Sequence, residues 1–298
     1  MKTLEILLSY QCNSRCAYCF LPAHRRSESM PPEQVAKKMY DARRRGAENV
    51  FFSGGEPTLD RNLFKYAGIA AKLGFKCVRV RTNGMMLSSP AYVDRLLRAG
   101  INSFCVSVKS ADAATHDELS RVPGGFDLVV RGIENAVGSG AECECDLLVH
   151  ALNYRRLKET VRFFIGLGLK TFNFQFISSY YSPAGEMSRL LVPMEEAGPL
   201  IGEACAEVES RPGSRARAYY VAPCFLKDYH RFYYNLAREK LVVADVNGTV
   251  FPLEETPMQG KIKIAACGRC VRGADCSGLR EDYLEIYGDS AVEPLTEA

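Results

Sequence analysis

The chain has 298 residues, enough for one large domain with or without a small appendage, and 47% of them are hydrophobic, ample for a buried core. Its 38 basic and 35 acidic residues leave a net charge of +3, which is too small to imply a nucleic-acid or acidic-membrane partner. The first apolar run, from Leu4 to Leu8, is too short for a signal peptide, and no segment approaches membrane-spanning length, so a cytoplasmic protein is expected.

Short β-branched or aromatic runs alternate with longer helical patterns from Thr3 to about Ile177, the grammar of repeated βα units and a parallel sheet. Strands are predicted at about 3–9, 49–53, 76–82, 102–108, 142–149 and 171–177. Between them a helix at 32–45 opens on Pro31-Pro32 with Glu33 in its first turn, and helices at 61–73, 89–98, 125–138 and 154–166 each stop near a glycine. Six strands without an obvious seventh or eighth suggest an α/β fold, a partial, open (β/α)6 TIM-like barrel. Ser182-Pro183-Ala184-Gly185 and Pro193 then break the pattern, a helix follows at 194–209, and Ser210 to Ser214 reads as a linker. Residues 1–210 are therefore expected to form the barrel and 211–298 a small extension. In that extension Leu241 to Phe251 reads as a β-hairpin turning at Asn247-Gly248, and a short amphipathic helix ends near Gly288.

The first strand leads into Cys12-x3-Cys16-x2-Cys19. Three thiols on one loop can grip three corners of an iron–sulfur cube, and such clusters usually take four ligands, so one iron is left for another group. A zinc knuckle completed by His24 is the alternative. The second strand ends at Ser53-Gly54-Gly55-Glu56-Pro57, where the paired glycines free the backbone and Pro57 suits a helix start. The third ends at Thr82-Asn83-Gly84. All three strings fall at C-terminal strand ends, where parallel α/β folds collect ligands. Twelve cysteines in a reducing compartment, clustered toward the two ends, point to metal rather than disulfides.

Together the three strings resemble those of the radical S-adenosylmethionine (radical SAM) enzymes. The resemblance implies a 4Fe–4S cluster on Cys12, Cys16 and Cys19 whose open iron binds the amino and carboxylate groups of S-adenosylmethionine (SAM). One electron, from a donor such as flavodoxin or ferredoxin, then cleaves the sulfonium to methionine and a 5′-deoxyadenosyl radical that removes a hydrogen atom from substrate. It further implies that Tyr18 lies near the adenine, that Gly54, Gly55, Glu56 and Pro57 bind the SAM ammonium, and that Asn83 shapes the loop beside the cofactor. Ser107 stands where relatives carry Ser-x-Asp and is expected at the ribose or the methionine moiety, with Lys109 in place of the acid. Arg121 is expected to pair with the SAM carboxylate through its planar fork. A packing role for Tyr18 and a solvated position for Arg121 are the plainer alternatives.

Cys267-x2-Cys270-x5-Cys276 follows the hairpin and resembles the SPASM or Twitch extensions, which carry auxiliary 4Fe–4S clusters. Leu253 and Arg280 stand at two cysteine positions of the full SPASM pattern, which leaves sulfur for one cluster with Cys224 as the expected fourth ligand. An open iron and a zinc tetrathiolate are the alternatives. Cys77 and Cys105 fall in predicted apolar strands and Cys205 in a helix, and all three are expected as small buried hydrophobes, with a radical-relaying cysteine among them as the alternative. Asp146 and His150 share one face of the fifth strand and Cys143 and Cys145 the other, with no indication of which looks inward. Gln175, Tyr180-Tyr181 and the run Tyr229 to Tyr234 are expected to pack, or else to meet substrate.

The chain is thus expected to be an oxidoreductase-like radical SAM enzyme acting on a small molecule of sugar or nucleoside type in a biosynthetic pathway, by net oxidation or rearrangement. Because the barrel pattern starts at Thr3, no upstream peptide-binding element is expected, which favours the small molecule over a second reading, a peptide or protein maturase. A third reading, a non-catalytic zinc-stabilised scaffold, leaves the Gly-Gly-Glu and Thr-Asn-Gly placements as coincidences.

Overall fold

The computed structural model describes residues 1–181 and 187–297, so the predicted break at Ser182 to Gly185 lies outside the described residues. Six parallel strands form where the β-branched and aromatic runs place them: β1 (Thr3–Ser9), β2 (Asn49–Gly54), β3 (Cys77–Thr82), β4 (Ser103–Val108), β5 (Glu142–Val149) and β6 (Thr171–Phe176). They are joined by α1 (Pro32–Arg44), α2 (Leu63–Lys72), α3 (Pro90–Ala99), α4 (Ala113–Ser120), α5 (Gly125–Gly138) and α6 (Leu157–Gly166). The sequence does not announce α4, because its eight residues carry no apolar stripe beyond Leu119; it starts instead on the Asp112 side chain, which accepts from the Thr115 amide.

The sheet does not stop at six strands, which corrects the sixfold expectation. After α7 (Met194–Glu209), β7 (Arg215–Tyr219) adds parallel to β6; β8 (Leu241–Ala244) adds parallel to β1, and β9 (Val250–Pro252) pairs antiparallel with β8. The order among the described residues is β7-β6-β5-β4-β3-β2-β1-β8-β9. Residues 210–214 are therefore a turn from α7 into β7 within one sheet, and the predicted hairpin is also a continuation of that sheet. Alternating Arg and Ala hide β7 from a reading that looks for β-branched and aromatic residues.

One face of each of the first six strands is apolar. Ile6, Phe52, Val80, Val106, Leu147 and Phe174 are fully buried against the helices. The other face curls around an interior and is charged from β3 to β6, with an apolar patch of Phe51, Leu241 and Val243 at β2 and β8: Arg81 of β3 reaches Glu5 of β1 at 3.3 Å and Asp146 of β5 at 2.5 Å, two strands away on either side. This settles the fifth strand, with Asp146 inward and Cys145 in the outer core. The short α8 (Pro223–Leu226) and the helix α9 (Glu281–Tyr287), which stops at Gly288, lie in the C-terminal part. Among the described residues, no helix is long and apolar enough to cross a membrane.

Candidate functional site

Parallel strands share a direction, so the three strings read from sequence converge at one end of the sheet. Beyond β1 the cysteine loop is tied to the end of α4 by its backbone, Arg15 N–H to Ser120 C=O at 3.1 Å and Ala17 N–H to Leu119 C=O at 2.9 Å. The Arg26 guanidinium donates to Ser14 C=O at 2.8 Å. Cys12, Cys16 and Cys19 are each half-buried. Burial pushes the Cys12 thiol up to about 11, with Glu56, Cys16 and Cys19 adding to it, and burial also raises Cys19. Such thiols ionise when a metal supplies the missing positive charge.

Gly54 and Gly55 let the end of β2 press against the chain leaving β1. Gly55 N–H donates to Ser9 C=O and Glu56 N–H to Gln11 C=O, both at 2.7 Å. A Cβ on Gly55 would stand 2.1 Å from the Gln11 oxygen, and Gly54 has φ +114 besides. Pro57 is buried at the start of a short 3₁₀ turn.

Glu56 is fully buried, and its carboxylate knots the strand ends together. Oε1 accepts from the Thr58 amide at 3.0 Å, the Thr58 hydroxyl at 2.5 Å and the Thr82 hydroxyl at 2.7 Å, while Oε2 accepts from the Asn83 amide at 2.7 Å. Burial raises its pKa and these bonds pull it back. The Asn83 side chain donates to Asn13 of the cysteine loop at 2.7 Å, so the Thr-Asn-Gly string touches both partners.

On the far side of the loop, the Tyr18 ring lies against His150, with centroids 6.3 Å apart and planes 27° from parallel. Burial, with Cys16 and Cys19 nearby, raises the Tyr18 phenol well above its usual range, and Ser107 offsets part of that rise. Arg121 caps α4 in the left-handed region, exposed to solvent. Lys109, by contrast, is 2% exposed. Burial first, and the Lys109 cation second, lower His150 to about 3 and His116 to about 4.

Below the strand ends lies an interior cavity of about 250 Å³. Its walls carry a ladder of charge. Arg79 grips Glu144 through two bonds of 3.0 Å and reaches Glu142 at 3.1 Å; Asn173 donates to Glu144 and Asp146 at 3.2 and 3.0 Å; Asp146 in turn holds Arg81. Gln175 lines this cavity, as do Cys77 and Cys105; Cys105 is buried as expected, and Cys77 is half-buried against the apolar patch of Phe51, Leu241 and Val243. Cys205 is buried in the core as expected. The run Tyr229 to Tyr234 packs: Phe232 and Tyr233 are buried, and Tyr234 lies on Tyr219 with ring centroids 5.2 Å apart.

At the C-terminal end the fold brings Cys224 beside Cys276, Cys270 and Cys267. Burial raises Cys224 to about 12, and the other three thiols add to it in that order. Arg280, at a position where the SPASM pattern has cysteine, is 3% exposed and clamps this segment to β6 by donating to Phe176 C=O at 3.2 Å and Ile177 C=O at 2.6 Å, with Asp282 as its counter-ion at 3.0 Å.

A family model described as the radical SAM superfamily matches residues 6–164, more than half of the chain, from β1 into α6. The chain belongs to the radical SAM superfamily. It is 28% identical over 171 residues to a probable GTP 3′,8-cyclase of Sulfurisphaera tokodaii, covering 57% of this chain and 54% of that one. It is 30% identical over 161 residues to an AdoMet-dependent heme synthase of Oleidesulfovibrio alaskensis, covering 53% and 40%. The chain spans about half the length of the curated relatives it matches. Among solved structures, SuiB of Streptococcus suis bound to S-adenosylmethionine superposes with a TM-score of 0.71 at 16% identity, over 99% of this chain and 76% of that one. Native anSMEcpe with bound AdoMet gives 0.70 at 17%, over 98% and 93%. At such identities the likeness is one of fold, an α/β fold with a mostly parallel sheet.

Membership implies a 4Fe–4S cluster and SAM. The cysteine loop of this radical SAM chain fits them by its donor chemistry: three thiols stand together, and Glu56, the carboxylate felt by Cys12, is occupied by four protein hydrogen bonds. Among the described residues, no group of three or more His, Cys, Asp or Glu converges as a lone metal ion requires. Sequence reasoning missed Asn13, the pairing of His150 with Tyr18, and the interior ladder, because each depends on residues brought together from different strands.

Proposed function

We propose that Cys12, Cys16 and Cys19 hold a 4Fe–4S cluster with an open iron for SAM, and that the substrate is a small polar molecule of sugar or nucleoside type bound in the barrel interior. The cluster and SAM, when bound, supply a 5′-deoxyadenosyl radical for hydrogen abstraction, here toward a net oxidation or rearrangement. The chain's own residues prepare the site. The edge from Gly54 to Pro57 offers backbone groups to the SAM ammonium, and Glu56 Oε2, which accepts one bond, keeps an acceptor position for it. Tyr18, steadied by His150, offers a ring to adenine; Asn83 shapes the loop; Ser107 serves the ribose or methionine moiety.

The observation that carries the substrate class is the ladder of guanidinium, carboxylate and amide groups inside the sheet. Burying such groups is costly, and they repel an apolar ligand while offering many hydrogen bonds to a hydroxyl-rich one. We further propose an auxiliary 4Fe–4S cluster on Cys224, Cys267, Cys270 and Cys276, in a Twitch- or SPASM-like region spanning 211–298. Full thiolate ligation favours electron uptake from a substrate radical. A cytoplasmic enzyme drawing electrons from flavodoxin or ferredoxin suits this chemistry. The peptide maturase is the second reading, favoured by fold likeness over 97% of the chain to a SuiB structure that contains a precursor peptide.

Anaerobic reconstitution with iron and sulfide tests the proposal. About eight irons per chain, falling to about four in Cys12/Cys16/Cys19→Ala, with 5′-deoxyadenosine made from SAM and dithionite by the wild type alone, is the expected result. Stoichiometric zinc without sulfide or deoxyadenosine would overturn it. Acceleration of SAM cleavage by nucleosides or sugar phosphates, rather than by peptides, decides the substrate class.

A further inference from the structure

The charged wall of the interior cavity is closed on itself except at one residue. Arg79 is taken up by Glu144, Glu142 and the Ser103 hydroxyl, and Arg81 by Asp146 and Glu5. Arg217 of β7 lines the same cavity, half-buried, and forms no ion pair among the described residues, although Glu144 and Glu239 lie in its field. Glu239 is engaged by the Tyr234 hydroxyl. The polar neighbours of Arg217 are the Asn173 amide oxygen at 3.5 Å, the outer limit of a hydrogen bond, and the Tyr219 hydroxyl. Its guanidinium lies over the Tyr234 ring, 5.3 Å from the centroid, and that ring lies on Tyr219.

A stacked guanidinium engages its face and keeps its edge. Arginine carries five N–H donors in one plane, so two polar neighbours leave most of that edge without an acceptor. Such an edge fits two parallel oxygens of an oxyacid. Arg215, two residues back on the same face of β7, brings a second guanidinium to the cavity. Another part of the wall, formed by Phe51, Leu241 and Leu253, is apolar and offers no hydrogen bond. A molecule that suits both parts has an anionic group at one end and a body with a face free of hydrogen-bonding demands.

The register of the sheet relates this edge to the strand ends. Arg217 pairs with Asn173, Asn173 with Asp146 and Asp146 with Ser107, one inward row from β7 to β4. At about 4.8 Å per strand, Arg217 stands roughly 14 Å along the sheet from Ser107, which the resemblance puts at the cofactor. We infer that Arg217 determines specificity in the interior cavity by binding an anionic oxyacid group of the substrate, a carboxylate or a phosphate, and so holds that end away from the reacting end. The inference rests on the proposed substrate site in the barrel interior.

The test is equilibrium dialysis of the reconstituted holoenzyme against labelled inorganic phosphate, acetate, ribose 5-phosphate and ribose, at an ionic strength fixed with chloride. The wild type is expected to bind the anions in preference to ribose; phosphate above acetate marks a phosphate ester as the natural group, and the reverse order a carboxylate. Arg217→Met is expected to lose about ten- to a hundredfold in affinity for the anion. Arg217→Lys, which keeps the charge and loses the fork, should fall between the two. Iron content at the wild-type level is expected in both variants and reports an intact fold. An anion bound equally well by Arg217→Met is an adventitious ion only and overturns the inference, as does a wild type that binds no anion. Anion binding lost with Arg217 in a protein that makes no 5′-deoxyadenosine keeps this subsite and removes the radical reading, whereas deoxyadenosine production without Arg217-dependent anion binding removes this subsite alone.

Discussion

Replacing Glu56 by Gln separates the knot from the ligand site. The carboxylate accepts four bonds, and an amide can keep the three on Oε1, from the Thr58 amide and hydroxyl and the Thr82 hydroxyl. The group that replaces Oε2 is then an NH₂ facing the Asn83 N–H at what was a 2.7 Å contact, so two donors meet and a buried amide loses its acceptor. That loss costs about 1–3 kcal/mol. Neutralising a buried carboxylate whose pKa burial has raised gives a little back, leaving roughly 2 kcal/mol. For a chain of this size that lowers the melting temperature by about 4–6 °C, read by circular dichroism on the SAM-free protein. Iron content should stay at the wild-type level. An unchanged melting temperature with weakened SAM binding would refute the knot and leave Glu56 as a ligand group alone.

The two lowered histidines give a pH prediction. His116 and His150 titrate in the fold at about 4 and about 3, against about 6.5 unfolded, so their stabilising contribution is complete above pH 6.5 and is lost as the pH falls toward those folded values. At pH 5 the loss is about 2 kcal/mol for each, read as a lower urea midpoint; His116→Gln should flatten part of the slope, and a level midpoint between pH 7 and 5 contradicts the buried neutral state. Removing the Arg280 guanidinium, as in Arg280→Met, strands Asp282 and frees two carbonyls of the β6 end, a cost of about 3–5 kcal/mol that limited proteolysis should report as release of the C-terminal segment. Persistence of that segment at wild-type rates argues against the clamp. Cys224→Ser should lower bound iron while leaving SAM cleavage by the N-terminal loop intact, and an unchanged iron content removes Cys224 from the C-terminal ligand set.

Local pattern alone fixed a good deal of this protein. The six leading strands, five of the helices between them and the hairpin at Asn247-Gly248 follow from side-chain periodicity, proline starts and glycine stops, which act over a few residues. The same strings marked the site, since a Cys-x3-Cys-x2-Cys loop, paired glycines and Thr-Asn-Gly each fall where a strand ends. Tertiary structure decided the rest. Nothing local says that β7, an alternation of Arg and Ala, joins β6, or that β8 lies beside β1, because those pairings satisfy backbone groups far apart in the chain. Nor does the sequence say which face of β5 is inward; the curl of the sheet turns Asp146 toward Arg81 and leaves Cys145 among apolar neighbours. Glu56 read as a ligand group, and only packing showed its carboxylate binding the ends of β2 and β3 together. Lys109 read as a departure from a motif, and only packing showed it sheltered close to His116 and His150. Composition and spacing choose the elements and the chemistry available, whereas charge burial and hydrogen-bond completion are settled by what the fold places around each group.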